Sequence, residues 1–246
     1  MDRLIYTAMT GLKHIMEQQA TTANNLANST TTGFRQQIDS FRAVPVLGAG
    51  LPTRAFVVDA TTGANFNSGN VYNTGHELDV AIRDRGWFAI QRADGTEAYT
   101  RQGNFKLNEN GVLQTQDGLT VVGDGGPITI PPESKVAIAN DGTVSAVATN
   151  VVPLITNLIG RIKLVNPNEA DLVRGADGLF ETKNRAPVEA DATVTVASGA
   201  LESSNVNVVE EMVNMITLAR SFDLQTRLLQ NAENNATKAS QIFSLT

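Results

Sequence analysis

The sequence predicts an α+β fold, with long N- and C-terminal helices paired as a coiled-coil-like domain and a central, mostly antiparallel β domain. Two observations predict it. Near both ends of the chain, apolar residues recur at alternating spacings of three and four, which is the seam pattern of a coiled coil. The segment between them instead alternates apolar and polar residues and repeats pairs of tight-turn residues, which favours strands joined by hairpins.

The N-terminal ladder predicts a helix from about residue 2 to residue 28. Its members are Ile5, Ala8, Leu12, Ile15, Gln19, Thr22 and Leu26. The stretch contains no Pro and only Gly11 in its interior, so nothing in it stops a helix. Its last turns hold Asn24, Asn25 and Asn28, and Asn is a poor helix former because its amide competes for backbone hydrogen bonds. We therefore expect these amides to bond neighbouring chains.

The C-terminal ladder predicts a second helix from near Asn207 to about Phe243. Its members are Val208, Met212, Met215, Ala219, Phe222, Thr226, Leu229, Glu233, Ala236, Ser240 and Phe243. Asn207 is placed to cap the first backbone amides, and Glu210 completes a capping-box-like pair. Both ladders have polar members, such as Gln19 and Glu233, so one isolated helix pair buries too little apolar surface to be stable. We expect many copies to share the burial in an intermolecular assembly.

Residues 78–204 form the predicted β domain. Six turn pairs punctuate it: Asp94-Gly95, Asn110-Gly111, Asp117-Gly118, Asp124-Gly125, Asp141-Gly142 and Asp177-Gly178. Such pairs tolerate positive φ and favour tight hairpins, so the sheet is expected to be antiparallel. Residues 35–77, rich in Gly and Pro, are predicted to be an extended linker with short strands. Residues 1–34 and 205–246 together form the predicted assembly domain.

Composition excludes several classes of function. The chain has 246 residues, no cysteine and a net charge of −6, which removes thiolate sites and argues against nucleic-acid binding. Two histidines are its whole imidazole inventory, and no motif indicates a catalytic, cofactor or metal site. The first residues do not read as a cleavable secretory signal, and no apolar run reaches the ~20 residues that span a bilayer.

Four motifs resemble those of a known family. Residues 23–35 read ANNLANSTTTGFR, and residues 201–206 and 210–216 read LESSNV and EEMVNMI. These resemble the N- and C-terminal signatures of the bacterial flagellar rod, hook and hook-filament junction proteins. Residues 99–103, reading YTRQG, resemble the β-rich middle of the rod and hook branch. The likeness covers nearly the whole chain.

This resemblance implies a structural subunit of the flagellar rod. Such subunits polymerise with themselves and with other proximal and distal rod proteins into a helical tube in the periplasm. The tube passes through the peptidoglycan, transmits torque from motor to hook and provides the export channel. Subunits are exported unfolded by the flagellar type III apparatus, without a cleaved signal peptide. The resemblance implies neither an active site nor a cofactor, and neither nucleic acid nor membrane insertion.

The expected interface residues lie on the two terminal helices. They are Ile5, Leu12, Ile15, Asn24, Asn25, Leu26, Asn28, Met212, Met215, Phe222 and Leu229. The apolar members are expected to pack within and between subunits, and the three Asn residues to bond in the same layer.

Residues 1–11 resemble the opening of proximal rod subunits. Two alternatives stay open. A distal rod subunit is similar, but opens differently and carries a Gly-rich loop where this chain has residues 83–87. A peptidoglycan-binding or peptidoglycan-degrading β domain with oligomerising helices is the rival from another class, and it requires paired carboxylates or an aromatic platform.

Overall fold

A computed structural model describes residues 2–45, 55–148 and 156–244, and over these ranges the fold is α+β as predicted. The chain forms two compact units. The helical unit comprises Met1–Asn28, Gln37–Asn65 and Val206–Thr246. The β unit comprises Ser29–Gln36 and Phe66–Asn205.

The helical unit is built from two helices and one hairpin. Helix α1 spans Asp2–Ala27, strands β1 and β2 span Gln37–Pro45 and Ala55–Ala64, and helix α2 spans Val208–Ser244. The two helices contact each other, and α1 also contacts both strands. Strands β1 and β2 pair antiparallel over nine and ten residues, longer than the short strands that the sequence predicts for this segment.

Helix α2 begins at the cap that the sequence predicts. The Asn207 side-chain oxygen accepts hydrogen bonds from the backbone amides of Val209 at 3.2 Å and Glu210 at 3.3 Å. These amides belong to the first turn, where the helix itself supplies no acceptor.

The β unit consists of short strands. They are β3 (Val71–Asn73), β4 (Val80–Ile82), β5 (Trp87–Gln91), β6 (Glu97–Thr100), β7 (Lys106–Leu107), β8 (Leu113–Gln114), β9 (Thr120–Gly123), β10 (Gly126–Pro127), β11 (Ser134–Ile138), β12 (Thr143–Ala148), β13 (Thr156–Arg161), β14 (Leu164–Val165), β15 (Leu172–Arg174), β16 (Phe180–Thr182), β17 (Val196–Ser198) and β18 (Ala200–Glu202). A 3₁₀ turn spans Glu169–Asp171.

Strand pairing in the β unit is antiparallel, as predicted. The largest sheet has the order β15-β16-β6-β5-β9-β8-β7, with β10 on β9 and β14 on β5. Strands β11, β12 and β13 form a second sheet, and β17-β4 and β18-β3 are two-stranded. One apolar core, including Phe88, Ile90, Leu113 and Val121, fills the unit.

The turn pairs sit where the sequence predicts hairpins. Gly95, Gly111, Gly118, Gly142 and Gly178 all adopt positive φ, whereas in the sixth turn the positive φ falls on Gly126 and not on the predicted Gly125. Two of these turns, at Asp94 and Asp141, and one further turn at Asp191 share an Asp-x-Thr pattern in which the Asp carboxylate accepts from the Thr amide and hydroxyl. These bonds stabilise the ionised carboxylate, and the pKa of each Asp lies below its usual range.

Candidate assembly interface

Asn25 is the hydrogen-bonding centre of the helical unit. Its side chain is 2% exposed. Its Nδ2 atom donates to the Gln37 carbonyl at 2.9 Å and to the Glu211 carboxylate at 3.1 Å, and its Oδ1 atom accepts from the Gln37 amide at 2.8 Å. Asn25 thereby joins α1, β1 and α2. Its side-chain N–H groups therefore donate to acceptors within the same chain, whereas the sequence analysis predicted that they bond neighbouring chains.

The other expected residues of α1 occupy two environments. Leu12, Ile15 and Leu26 are half-buried, whereas Asn24 is exposed. Asn28 donates from Nδ2 to the Asn24 carbonyl at 2.9 Å, a bond within one helical turn. The side chain of Ile5 lies outside the described residues.

Helix α2 turns one face inward. Along this face, six residues that recur at alternating spacings of four and three are buried or half-buried: Glu211, Met215, Leu218, Phe222, Gln225 and Leu229. Met215, Phe222 and Leu229 are therefore on the face that the ladder predicts. Gln225 donates from Nε2 to the Ala8 carbonyl at 3.2 Å, which ties this face to α1. Met212 instead lies 49% exposed, and its neighbour Glu211 takes the buried place at 3%.

A second apolar face of α2 points outward. Val209, Met212, Val213 and Ile216 recur at helical spacing along it, and Val209 is 70% exposed. On α1, Tyr6, Met9 and Met16 are likewise exposed. A contiguous exposed apolar stripe on a helix is typical of a surface that another chain covers. The described parts of both helices therefore carry more apolar surface than one subunit buries.

Glu202 is the centre of a buried polar cluster in the β unit. Its carboxylate accepts from Arg35 at 2.7 Å, from Arg101 at 3.0 Å and from the Gly69 amide at 2.8 Å. The side chains of Glu202, Arg35 and Arg101 are all buried, with Arg35 1% exposed. The Arg101 guanidinium also donates to the carbonyls of Ile82 and Asp84.

Three chain segments meet at Asn205 in the same unit. Its Oδ1 atom accepts from the Gln36 amide at 2.7 Å, and its Nδ2 atom donates to the Asn67 carbonyl at 2.8 Å. Its own amide donates to the Phe34 carbonyl at 3.3 Å. The Arg174 guanidinium lies 4.4 Å from the Phe34 ring and donates to the Arg35 carbonyl. These bonds hold residues 34–36 against the β unit.

Sequence reasoning singled out neither the Glu202 cluster nor Glu211 as functional. The signal was present, because Arg35, Glu202 and Glu211 all fall inside the motifs that carry the family resemblance, and Arg101 lies in the YTRQG segment. What the sequence lacks is any periodicity linking residues so far apart in the chain.

A pocket of about 330 Å³ on the β unit is lined by carboxylates, including those of Asp177 and Glu181. Arg92 donates to Asp177 at 2.6 Å and to Glu181 at 2.7 Å. Burial raises the pKa of Asp177, but the hydrogen bonds from Arg92 and from the Leu179 amide outweigh it, and the pKa lies below its usual range. The bond from Arg92 lowers the pKa of Glu181 as well. A general acid in glycoside cleavage needs a raised pKa, the opposite of this arrangement.

Neither helix, over its described residues, is both long and apolar enough to cross a bilayer.

Three family profiles match the chain. "Flagella basal body rod protein" covers residues 5–35, "Flagellar hook protein FlgE/F/G D1 domain" covers residues 81–146, and "Flagellar basal body rod FlgEFG protein C-terminal" covers residues 197–242. The first and last contain the predicted terminal motifs.

Full-length relatives agree with these profiles. The chain is 44% identical to the flagellar basal-body rod protein FlgF of Escherichia coli strain K12, over 100% of both chains. It is 43% identical to FlgF of Salmonella typhimurium strain LT2, again over 100% of both. A flagellar basal-body rod protein FlgG from Buchnera aphidicola is 30% identical over 97% of this chain and 98% of its own. The chain therefore belongs to the FlgF family of flagellar basal-body rod proteins.

Proposed function

We propose that this chain is a structural subunit of the flagellar rod and acts through the interfaces of its two terminal helices. The observation that carries the proposal is the outward apolar face of α2, formed by Val209, Met212, Val213 and Ile216. A helix that is apolar on two faces needs two partners. The inward face packs against α1 of the same chain, and the outward face is left for neighbouring rod subunits.

The expected pairing of α1 and α2 as a coiled-coil-like domain belongs to this proposal. Its support is the contact between the two helices, the Gln225 bond to Ala8 and the half-buried ladder residues Met215, Phe222 and Leu229. Leu12, Ile15 and Leu26 supply the facing residues of α1. Ile5, Asn24, Asn28 and Met212 are proposed to complete the interface between subunits.

A tube that transmits torque needs subunits that resist shear. Buried polar pairs serve this purpose because they fix the register of packed helices, whereas purely apolar faces slide more easily. The Asn25–Glu211 bond is such a pair. We assign the subunit a mechanical role in the rod, with the tube carrying torque from motor to hook and enclosing the export channel.

The proximal part of the rod is the proposed position. Its support is the opening segment, residues 1–11, together with the higher identity to FlgF of Escherichia coli at 44% than to FlgG of Buchnera aphidicola at 30%. Assembly with other rod components follows from the family, and passage through the peptidoglycan in the periplasm is part of the proposal. A tag on the subunit, located by electron microscopy in isolated basal bodies, tests the position.

Export is proposed to proceed through the flagellar type III apparatus with the N-terminus intact. The support is that α1 carries part of the proposed interface. A subunit cleaved after α1 would lack the interface residues from Leu12 to Asn25. The intact mass of the protein recovered from rods tests this. A product lacking the first ~20–30 residues, the length of a secretory signal, contradicts it.

The role is proposed to be non-catalytic. The support is the pairing of the pocket carboxylates Asp177 and Glu181 with Arg92, which keeps both ionised. Zymography of the purified chain on peptidoglycan tests this, and clearing of the gel would favour the enzyme.

Val213→Asp is the direct test of the outward face. A charge on a surface that the rod buries costs several kcal/mol once neighbours exclude water. We expect the variant to be absent from isolated basal bodies and the cells to be non-motile. Asn214→Asp, one residue further round the same helix and exposed, is the matched control and is expected to assemble. Normal incorporation of Val213→Asp would remove the outward face from the proposal.

A further inference from the structure

Residues 29–36 form a short strap across the β unit, which we call the strap segment. The Gly33 amide donates to the Glu202 carbonyl at 2.8 Å, and the Gln36 amide donates to Asn205 at 2.7 Å. Phe34 and Arg35 are its buried side chains. The strap segment is therefore packed down by one apolar and one charged group.

The charged group, Arg35, lies in a cluster in which Glu202 already forms an ion pair with Arg101. Glu202 carries one negative charge, whereas Arg35 and Arg101 carry two positive charges, and all three are buried. Asp84, on the Arg101 side, is exposed and adds only a weaker attraction. With the strap segment in place, the cluster holds an excess positive charge in a setting that solvates ions poorly.

The two arginines compete for the same carboxylate. Burial and, to a smaller extent, the neighbouring charge on Arg35 lower the pKa of Arg101 to about 10 despite its bond to Glu202. Within the described residues, the Nε and Nη2 atoms of Arg35 make no hydrogen bond. A buried donor without a partner is unfavourable, so Arg35 is held less well than its short bond to Glu202 suggests.

Opening of the strap segment and opening of β18 have different consequences for the buried charges. If the strap segment lifts, Arg35 reaches water and Arg101 remains paired with Glu202, whose carboxylate keeps the Gly69 amide as well. If β18 lifts instead, Glu202 leaves and two arginines stay buried without a counterion. The first opening removes an excess charge from burial, and the second creates one.

We infer that the strap segment is a releasable element, which opens as one unit while β18 stays paired in the β unit. Arg35 acts as a positioning residue: its buried charge weakens the packing of the strap segment, so the segment opens more readily.

Amide-resolved hydrogen exchange by NMR on the monomeric full-length chain tests the inference. The Gly33, Gln36 and Asn205 amides depend on the closed strap segment, whereas the Ser203 amide donates to the Asn70 carbonyl and does not. We expect the first three to exchange at one common opening rate, at least about tenfold faster than Ser203. Equal protection of all four amides would show one cooperative unit and overturn the inference.

Two variants separate a charge effect from a loss of contact. Arg35→Met removes the excess charge and keeps the apolar stem, so we expect the strap amides to exchange about tenfold more slowly. Arg174→Met removes the bond to the Arg35 carbonyl and the contact with Phe34 but leaves the cluster charges, so we expect faster exchange. Faster exchange in Arg35→Met, or a β unit that no longer melts cooperatively in that variant, would show that Arg35 holds the strap segment down and would overturn the inference.

Discussion

Asn25 and Glu211 lie 186 residues apart in the chain, yet Asn25 Nδ2 donates to Glu211 Oε1 at 3.1 Å in a buried hydrogen bond. Both residues are buried, and each precedes a ladder residue in the sequence: Asn25 precedes Leu26, and Glu211 precedes Met212. The polar pair therefore sets which faces of α1 and α2 meet. A single buried polar pair of this kind fixes register because a shifted pairing leaves both groups unsatisfied.

Asn25→Asp tests this relationship. The variant places a second carboxylate against Glu211 and replaces the donors to Glu211 and Gln37, so we expect the helical unit to be destabilised by about 3 kcal/mol. The measurement is the amount of variant in isolated basal bodies, which should fall sharply. Asn24→Asp is the control, because Asn24 is exposed on the same helix. Equal incorporation of the two variants would show that the bond is dispensable.

Phe222→Asp is expected to abolish incorporation while the β unit keeps its melting transition. Phe222 is half-buried on the inward face of α2, and an unpaired charge there costs several kcal/mol. Motility and thermal melting are measured together, with Gln230→Asp, an exposed site on the same helix, as the control. Normal swimming contradicts the assignment. Loss of the main melting transition would place α2 in the core of the monomer.

Gly69→Ala is expected to destabilise the β unit by about 2 kcal/mol. A Cβ at residue 69 would lie 2.0 Å from the Ser203 carbonyl oxygen, so either the backbone or the Glu202 cluster must shift. Gly125→Ala is the matched control, because a Cβ there meets nothing within 4 Å. Urea unfolding of both variants checks the difference. Similar midpoints would mean that residues 69 and 203 separate without loss of stability.

Acid should destabilise the β unit through Asp177 and Glu181. Burial raises the pKa of Asp177, but the bonds from Arg92 and Leu179 bring it below its usual range, and the Arg92 bond lowers that of Glu181. Groups whose folded pKa is depressed stabilise the fold above the unfolded pKa of about 4, and this stability is lost as the pH falls through the folded values.

The corresponding experiment compares urea midpoints from about pH 6 to about pH 3. Arg92→Gln should have a lower midpoint than the parent chain near neutrality and a shallower decline in acid, so that the two curves converge. Arg83→Gln, at an exposed arginine, should run parallel to the parent. Parallel curves for Arg92→Gln would show that the ion pairs contribute no pH-dependent stability.

Local signals predicted much of the fold. The positive φ of Gly95 and Gly142 follows from Asp-Gly pairs, and the cap of α2 follows from Asn207, because each depends on only a few adjacent residues. The α+β class and the antiparallel sheet followed from the two periodicities. In strand β4, by contrast, Val80, Ala81 and Ile82 are all buried, and the sequence of so short a strand does not reveal this.

Long-range polar contacts were not predictable in the same way. The bonds of Glu202 to Arg35 and Arg101 join residues 167 and 101 positions apart, and no periodicity relates them. Met215 and Phe222, which the ladders include, are half-buried, but the ladders ranked positions by apolarity alone. They therefore missed Glu211, which is buried because Asn25 supplies a hydrogen bond.

The central claim is that the terminal helices are completed by neighbouring subunits. It is tested most directly by hydrogen exchange on a verified monomer and on assembled rods. In the monomer we predict near-unprotected amides over residues 24–28 and 224–243, against a protected core over residues 78–90, because isolated helices gain most of their stability from packing. In the rod both terminal segments should become protected. Strong protection of both segments in the monomer would mean that the helices fold without partners and would contradict the account.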